Sequence, residues 1–167
     1  MTASGWAPPN DAETHKLLVA CCDEQKDKEG AIRQILQSLQ LMRRDIQLYS
    51  DLGQRYAAVE KDKEAERAYT SIVEVLPSES ESHAALAELR QKQDRWPEAV
   101  VQWEQVTRIR ALEPTGLLRL GQAQAHLKQW APLSETIRKL RSRGWPSRFG
   151  DVDSQIRDLE RQNDKSH

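Results

Sequence analysis

The chain has 167 residues, of which 25 are basic and 26 acidic, so its net charge of -1 provides no broad basic surface for nucleic acid. Its longest uninterrupted apolar run, residues 17–22, is too short for a membrane span or for the core of a signal peptide. Hydrophobic residues make up only 38% of the chain, a fraction that favours thin stacked layers over one compact core. We therefore expect a soluble, cytoplasmic protein that binds neither nucleic acid nor a membrane.

The N-terminal stretch is predicted to contain a disordered lead-in and a weakly patterned pair of helices. Residues 1–11 include a glycine and two prolines, which favour extended backbone. Residues 12–45 have apolar residues at helical spacing but keep few features of the segments that follow, which predicts a degenerate first unit. The adjacent Cys21 and Cys22 do not have the spacing of a metal pair, and we expect small buried side chains in a reducing compartment.

A sequence repeat organises the middle of the chain. Residues 46–79 and 80–113 align without a gap at an offset of 34 residues, and a third segment, 114–147, continues the same phase. A fixed period of this length is typical of stacked helix–turn–helix units. The pairs that match across the first two segments are Leu52 with Leu86, Gly53 with Ala87, Ala65 with Ala99, Tyr69 with Trp103 and Ile72 with Val106.

Local features of these segments predict how the helices begin and pack. Gly53 lies in the middle of a predicted helix, where glycine costs roughly 1 kcal/mol relative to alanine, so we expect a neighbouring helix to approach it closely. Ser78 and Glu81 have the spacing of a capping box, which predicts that Ser78 caps the next helix. The inward face of the helix after that one is predicted to consist of Ala99, Val100, Trp103, Val106, Ile109 and Leu112.

The C-terminal residues 148–167 are too few for another pair of helices. Val152, Ile156 and Leu159 lie on one side of a predicted helix whose other side is charged. We expect this helix to cap the open end of a helical array, and the tail that follows it to fray.

The best-preserved segment resembles the tetratricopeptide repeat family. The positions that match the pattern of this family are Tyr49, Leu52, Gly53, Tyr56, Ala65, Tyr69, Ile72 and Pro77. The next two segments keep most of the pattern in phase, but Arg90 and Gln124 stand where it has tyrosine. The resemblance implies an all-α fold, a right-handed α-solenoid of antiparallel helix pairs with a C-terminal capping helix. The implied array covers residues 12–147, with units 12–45, 46–79, 80–113 and 114–147.

In this family the first helix of each pair lines a concave groove that holds peptides or helices, and the resemblance implies such a groove here. The residues expected to line it are Gln47, Ser50, Asp51, Gln54, Glu81, Ala85, Glu88, Lys92, Thr115, Arg119, Gln122 and His126. One subfamily grips a C-terminal carboxylate with lysine, asparagine and arginine at set positions, and the corresponding positions here are Ser50, Gln54, Ala85, Thr115 and Arg119. Only Arg119 is suitable, so the sequence does not favour a carboxylate clamp. The mixed polar groove suits an extended peptide backbone better than an apolar helix.

No constellation of residues predicts catalysis, a metal or a cofactor. The histidines, His15, His83, His126 and His167, stand alone, without a second ligand at helical spacing. His15 and His83 share the phase of Tyr49, so both are expected to fill aromatic packing positions. No phosphate-binding glycine loop or nucleophile elbow occurs.

Two features of the sequence each leave two interpretations open. The basic cluster, Arg138, Lys139, Arg141, Arg143 and Arg148, either places favourable charge at a helix C-terminus or binds an acidic partner or a phosphate. Trp96 and Trp130 either pack between neighbouring turns or contact a partner, whereas the phase of Trp103 predicts that it is buried.

The sequence favours a non-catalytic interaction module, an adaptor or scaffold that binds a peptide or protein segment in the groove. The alternative hypothesis is a structural part that self-associates or braces a larger protein through its degenerate first unit and its capping helix. We expect a monomer or a weak homodimer, and the identity of the partner does not follow from the sequence.

Overall fold

The computed structural model describes residues 12–164, except for the side chains of Ala12, Glu13 and His15. These residues form an all-α structure without a strand. The helices are α1 (Ala12–Glu24), α2 (Lys28–Leu41), α3 (Ile46–Ala58), α4 (Asp62–Val75), α5 (Ser80–Lys92), α6 (Trp96–Ile109), α7 (Pro114–His126), α8 (Trp130–Arg141) and α9 (Val152–Asp164). The predicted lead-in, 1–11, and the end of the predicted tail, 165–167, lie outside the described residues. No helix between residues 12 and 164 combines the length and apolar character that crossing a membrane requires.

The chain divides into two compact units, the first ending at Val75 and the second beginning at Leu76. In the first unit α1 packs against α2 and α3 packs against α4, and each pair is joined by a short turn that reverses the chain. The prediction of an all-α fold of helix pairs is confirmed. The apolar core of this unit contains Ile32, Ile35, Leu39, Leu52 and Ala68.

Gly53 of α3 lies directly against the ring of Tyr69 on α4. A Cβ atom added to Gly53 would lie 2.6 Å from Tyr69 Cε1 and 2.7 Å from Cζ, well inside van der Waals contact. Tyr69 is only 7% exposed, so its ring has little room to move away. The predicted close approach of a neighbouring helix is confirmed, and it accounts for a glycine in the middle of α3.

The first helix of the chain is less covered than the sequence predicts. Cys21 is exposed and Cys22 is half-buried, so the prediction of two buried thiols is wrong. Leu17 and Leu18 are also open to solvent, with exposed fractions of 67% and 43%. The physical reason is that α1 packs against α2, while no described helix precedes it to cover its other side.

One turn geometry recurs at the same phase of each helix pair. Lys26, Glu60, Asp94 and Lys128, each 34 residues after the last, have positive φ angles between 56° and 60°. The residue after each of them donates its backbone N–H to the carbonyl oxygen five residues earlier, at 2.8 or 2.9 Å. This left-handed residue and its hydrogen bond close the end of the first helix in a Schellman-type cap. The period of 34 residues therefore includes the turn between α1 and α2.

The second unit, α5 to α9, is built around two apolar clusters. One cluster joins α5, α6 and α7 and contains Trp103. This side chain is 2% exposed, so the prediction that it is buried is confirmed. The other joins α7, α8 and α9 and contains Leu133 and Leu140. Val152, Ile156 and Leu159 of α9 are buried in this second cluster, so the predicted apolar side of the last helix is confirmed.

Two predictions about helix ends in this unit are wrong. The N-cap of α5 is Glu79 rather than Ser78, and its carboxylate accepts from the backbone amides of Glu81 and Ser82 at 3.1 and 2.5 Å. Each carboxylate oxygen accepts from one of these amides, and the negative charge is favourable at the N-terminus of a helix. Leu112, predicted on the inward face of α6, is 80% exposed because the helix ends at Ile109.

Candidate functional site

The candidate groove residues of the first unit all lie on α3, on the side that the core leaves open. Gln47 and Gln54 are exposed, while Ser50 and Asp51 are half-buried. Their spacing of three or four residues places them on one face of the helix. Gln47 donates to Asp51 Oδ1 at 3.3 Å, so this face presents a polar surface with one acidic group.

A recess of about 220 Å³ opens beside this face, among α1, α2 and α3. It is lined by apolar residues such as Val19 and Ile35, and Asp51 and Asp23 also contribute to its wall. The guanidinium of Arg55 donates to both carboxylate oxygens of Asp23, at 2.5 and 2.8 Å. These hydrogen bonds lower the pKa of Asp23 and raise the pKa of Arg55, so the pair is ionised near neutral pH.

In the second unit the candidate residues occupy matching positions on α5 and α7. They are Glu81, Ala85, Glu88 and Lys92 on α5, and Thr115, Arg119, Gln122 and His126 on α7. The spacing within each set places it on one helix face, and all of these residues are exposed except Ala85, which is half-buried. Ala87 of α5 and Ala123 of α7 are fully buried in the cluster that joins α5, α6 and α7, so each helix has a buried side in addition to its exposed polar face.

Some of the candidate side chains already have partners within the second unit. Arg110 Nη2 lies 2.5 Å from Glu81 Oε1, and Arg119 Nη1 donates to Gln122 Oε1 at 3.5 Å. Both arginines are at the surface, where such pairs contribute about 0–1 kcal/mol and rearrange readily. These polar groups are therefore accessible to a partner that can replace the contacts.

The tryptophans predicted at helix starts serve packing. Trp96 stacks on the ring of His126, with 3.7 Å between ring centroids and 20° between ring planes, and its Nε1 donates to Asp94 Oδ1 at 2.8 Å. It also packs on the cluster that joins α5, α6 and α7, while Trp130 packs on the cluster of α7, α8 and α9. Packing between neighbouring turns is thus the interpretation that the structure supports. His126 presents the edge of a fixed aromatic stack rather than a free imidazole.

His83 fills a packing position, as predicted from its phase. Its side chain is 4% exposed, and its ring nitrogens lie 2.8 Å from Gln102 Oε1 and 3.0 Å from the carbonyl oxygen of Pro77. The side chain of His15 and all of His167 lie outside the described part of the chain. In the described part, no group of three or more histidine, cysteine, aspartate or glutamate side chains is placed to hold a metal ion.

The basic cluster near the end of α8 is engaged in internal contacts. The contacts are Arg138 with Glu135, Arg141 with Glu160 and Asp153, Arg143 with the carbonyl oxygen of Ala111, and Arg148 with the ring of Phe149. Hydrogen bonds from Arg138 lower the pKa of Glu135, and those from Arg141 lower the pKa of Glu160. Most of this charge therefore stabilises the second unit itself, by holding α8 to α9 and to the end of α6.

A second recess, of about 520 Å³, lies among α6, α7 and α8 and was not predicted from the sequence. Gln124 and Thr136 line it and are 4% and 3% exposed. The Thr136 Oγ1 atom lies 2.8 Å from Gln124 Oε1 and 3.1 Å from the carbonyl oxygen of Pro132, so these two acceptors share its single proton. The signal in the sequence is Gln124 itself, because this polar residue stands at the phase where the repeat pattern has a tyrosine.

The sequence matches no protein-family model and no curated protein. Three solved structures are similar to the chain along most of its length. MamA is 13% identical, with a TM-score of 0.65, over 92% of this chain and 90% of MamA. PilF of Pseudomonas aeruginosa is 14% identical, with a TM-score of 0.66, over 94% of this chain and 72% of PilF.

The third structure is the TPR2B domain of yeast Sti1, solved in a complex with pHsp70. It is 19% identical to this chain, with a TM-score of 0.62, over 73% of this chain and 98% of the domain. At these identities the likeness concerns the fold. Together with the helix pairs described above, it establishes that this chain has the tetratricopeptide repeat fold.

Proposed function

We propose that this protein is a non-catalytic interaction module, an adaptor or scaffold that binds an extended protein segment on the exposed faces of its first helices. The observation that carries the proposal is the repeated arrangement of exposed polar side chains at matching positions of α5 and α7, two helices whose other sides are buried. The buried side of each helix gives the exposed face a rigid base, and the polar side chains on that face are placed to form hydrogen bonds with a partner. The α3 face of the first unit supplies a second surface of the same polar character.

The chemistry of these faces supports an extended peptide as the occupant. They offer glutamine amides such as those of Gln54 and Gln122, a few charges of both signs and no exposed aliphatic stripe. An amphipathic helix needs an apolar surface to bury its own apolar side, whereas an extended backbone needs hydrogen-bond partners. The TPR2B domain of yeast Sti1 was solved with pHsp70, which is a precedent for a bound protein partner on this fold.

Site-specific photo-crosslinking in extracts of the native source tests this proposal. A photoreactive phenylalanine analogue replaces Gln54 or Gln122, and the crosslinked peptides are identified by mass spectrometry. We expect defined peptide adducts at these positions and none at Gln155, an exposed residue of α9 that serves as the matched control. Alanine at both Glu88 and Arg119 is expected to reduce the adduct at Gln122. The same adducts at Gln155, or no change with the double substitution, would contradict the proposal.

Self-association is a second candidate, and the exposed leucines of the first unit favour it. Leu17 and Leu41 are 67% and 50% exposed, so a second copy that covered them would remove apolar surface from water, which favours association. Light scattering at two protein concentrations tests this idea. We expect a mass that rises with concentration and falls back to the monomer when both leucines become lysine. Leu112→Lys, in the second unit, is the control and should leave the mass unchanged. A concentration-independent monomer would remove this candidate.

A further inference from the structure

The recess among α6, α7 and α8 lies on a different side of α7 from the candidate groove residues. Leu117, Leu120 and Gln124 face it from α7, at helical spacing. At about 100° per residue, these positions point roughly opposite to Arg119 and Gln122. A ligand in this recess would therefore contact a surface that the proposed peptide-binding faces do not use. Its volume of about 520 Å³ lies within the range of clefts that hold small ligands or a few side chains, roughly 300–1,000 Å³.

Basic side chains outnumber acidic ones around this recess. Arg108, Lys139 and Arg143 line it, together with the acids Glu104 and Glu135. Glu135 is already paired with Arg138, a residue outside the recess, whose Nη2 lies 2.6 Å from Glu135 Oε2. Lys139 Nζ lies farther from this carboxylate, at 3.9 Å from Oε1.

The position of Arg143 is fixed without loss of its charge. Its guanidinium donates to the backbone carbonyl oxygen of Ala111, at the end of α6. A carbonyl oxygen is a neutral acceptor, so this hydrogen bond orients the guanidinium but does not neutralise it. The rim therefore carries an excess of positive charge that is partly preorganised.

A buried amide adds a directional group to this positive rim. Gln124 is 4% exposed, and its Oε1 accepts from Thr136. The nitrogen of the same amide makes no hydrogen bond within residues 12–164. It is still accessible to solvent. It is therefore a donor left open toward the recess that Gln124 lines. A donor at the base of a basic cleft favours an oxygen ligand with negative charge.

We infer that this recess is a second interaction site, which binds an acidic segment of a partner protein. A carboxylate of the segment receives hydrogen bonds from the Gln124 amide and from the cations of the rim. A neighbouring aliphatic side chain of the segment contacts Leu117 and Leu120, the apolar residues of the lining. The site depends on α6, α7, α8 and the residues that directly follow α6 and α8, so it does not require the first-helix faces to bind a partner.

Fluorescence anisotropy with two defined peptides tests the inference. One labelled hexapeptide alternates glutamate with leucine, and the other alternates lysine with leucine. We expect the acidic peptide to bind the intact protein and to weaken as salt rises, and the basic peptide not to bind. Arg108→Glu combined with Lys139→Glu is expected to weaken binding of the acidic peptide by roughly tenfold or more, because it reverses two charges of the rim. Both side chains are exposed, so the variant should keep its fold, which circular dichroism checks.

Arg119→Glu is the matched control, because it makes the same charge reversal on the other side of α7. We expect it to leave the affinity for the acidic peptide within about twofold of the wild type. The double variant Gln124→Leu, Thr136→Val removes the amide and fills its space with apolar side chains. We expect it to weaken binding severalfold. The inference is overturned if the acidic peptide does not bind, if the basic peptide binds equally well, or if Arg119→Glu weakens binding as much as the rim variant. The last result would instead place the peptide on the first-helix face.

Discussion

Gly53 and Gly121 occupy the same phase of the repeat but have different neighbours. A Cβ at Gly53 would meet the ring of Tyr69 at 2.6 Å, whereas the nearest atom to a Cβ at Gly121 would be a terminal methyl of Leu159 at 2.8 Å, with other leucine methyls at 3.5 Å. A methyl at the end of a flexible side chain can move, but a buried aromatic ring cannot do so without repacking. We expect Gly53→Ala to lower the free energy of unfolding by about 1–3 kcal/mol, despite a gain of about 1 kcal/mol in helix propensity.

Gly121→Ala is the control, and it should leave stability within about 1 kcal/mol of the wild type, because propensity and a small shift of Leu159 offset each other. Urea unfolding followed by circular dichroism measures both values. If Gly53→Ala proves at least as stable as Gly121→Ala, the close contact with Tyr69 is not what requires glycine in α3.

The buried pair of Gln124 and Thr136 provides a second test at this scale. Thr136→Val keeps the shape of the side chain but leaves Gln124 Oε1 without its donor, which should cost about 1–3 kcal/mol. Gln124→Leu in the same chain removes the unpaired acceptor, so the double variant should recover most of that loss. Urea unfolding of the two single variants and the double variant forms a complete cycle. A double variant less stable than Thr136→Val would show that the hydrogen bond is not the source of the cost.

At the scale of elements, the cap of α5 makes stability depend on pH. Burial raises the pKa of Glu79, but hydrogen bonds from the amides of Ser82 and Glu81 outweigh it, so the pKa falls below its usual value of 4.5. A lowered folded pKa means that the contribution of the carboxylate is complete above the unfolded pKa and is lost as pH falls through the folded value. We expect Glu79→Gln to be about 0.5–1 kcal/mol less stable than the wild type at pH 7, and the difference to shrink as the pH falls below 4.5 toward 3.

Glu113 provides the matched control for this cap, because it precedes α7 at the same phase but makes no side-chain capping hydrogen bond. Glu113→Gln should therefore change stability little at either pH. Thermal unfolding from pH 7 to pH 3 measures both variants. A difference between Glu79→Gln and the wild type that persists unchanged at pH 3 would contradict the capping role.

The helices illustrate what the sequence can predict and where it fails. Periodicity identified the helices and the burial of Trp103, because both depend on a 34-residue register that the sequence displays directly. Periodicity placed Leu112 on the inward face of α6, but the helix ends before this residue. The capping-box spacing predicted Ser78 as the cap, but the side chain of Glu79 is the one that reaches the free amides. Those choices are made by local geometry, which residue spacing does not encode.

At the scale of the whole molecule, the predicted polar faces are found on the helices where the sequence places them, but their ligand is a proposal that crosslinking must test. The recess among α6, α7 and α8 could not be predicted, because its wall combines residues from three helices and a loop whose contacts arise only in the fold. In the sequence Gln124 is only a departure from the repeat pattern, and its hydrogen bond with Thr136 becomes visible only in the structure. Cys21 was misassigned for a related reason, since the burial of α1 depends on a neighbour that the described chain does not supply.

The fold and both proposed surfaces require helix pairs that keep one register, and backbone NMR of the intact protein tests this requirement most directly. Coupling constants and Cα shifts report the sign of φ at Lys26, Glu60, Asp94 and Lys128. We predict positive φ at all four, with helical shifts on both sides of each. A negative φ at these positions, or an uninterrupted helix through any of them, would contradict the account.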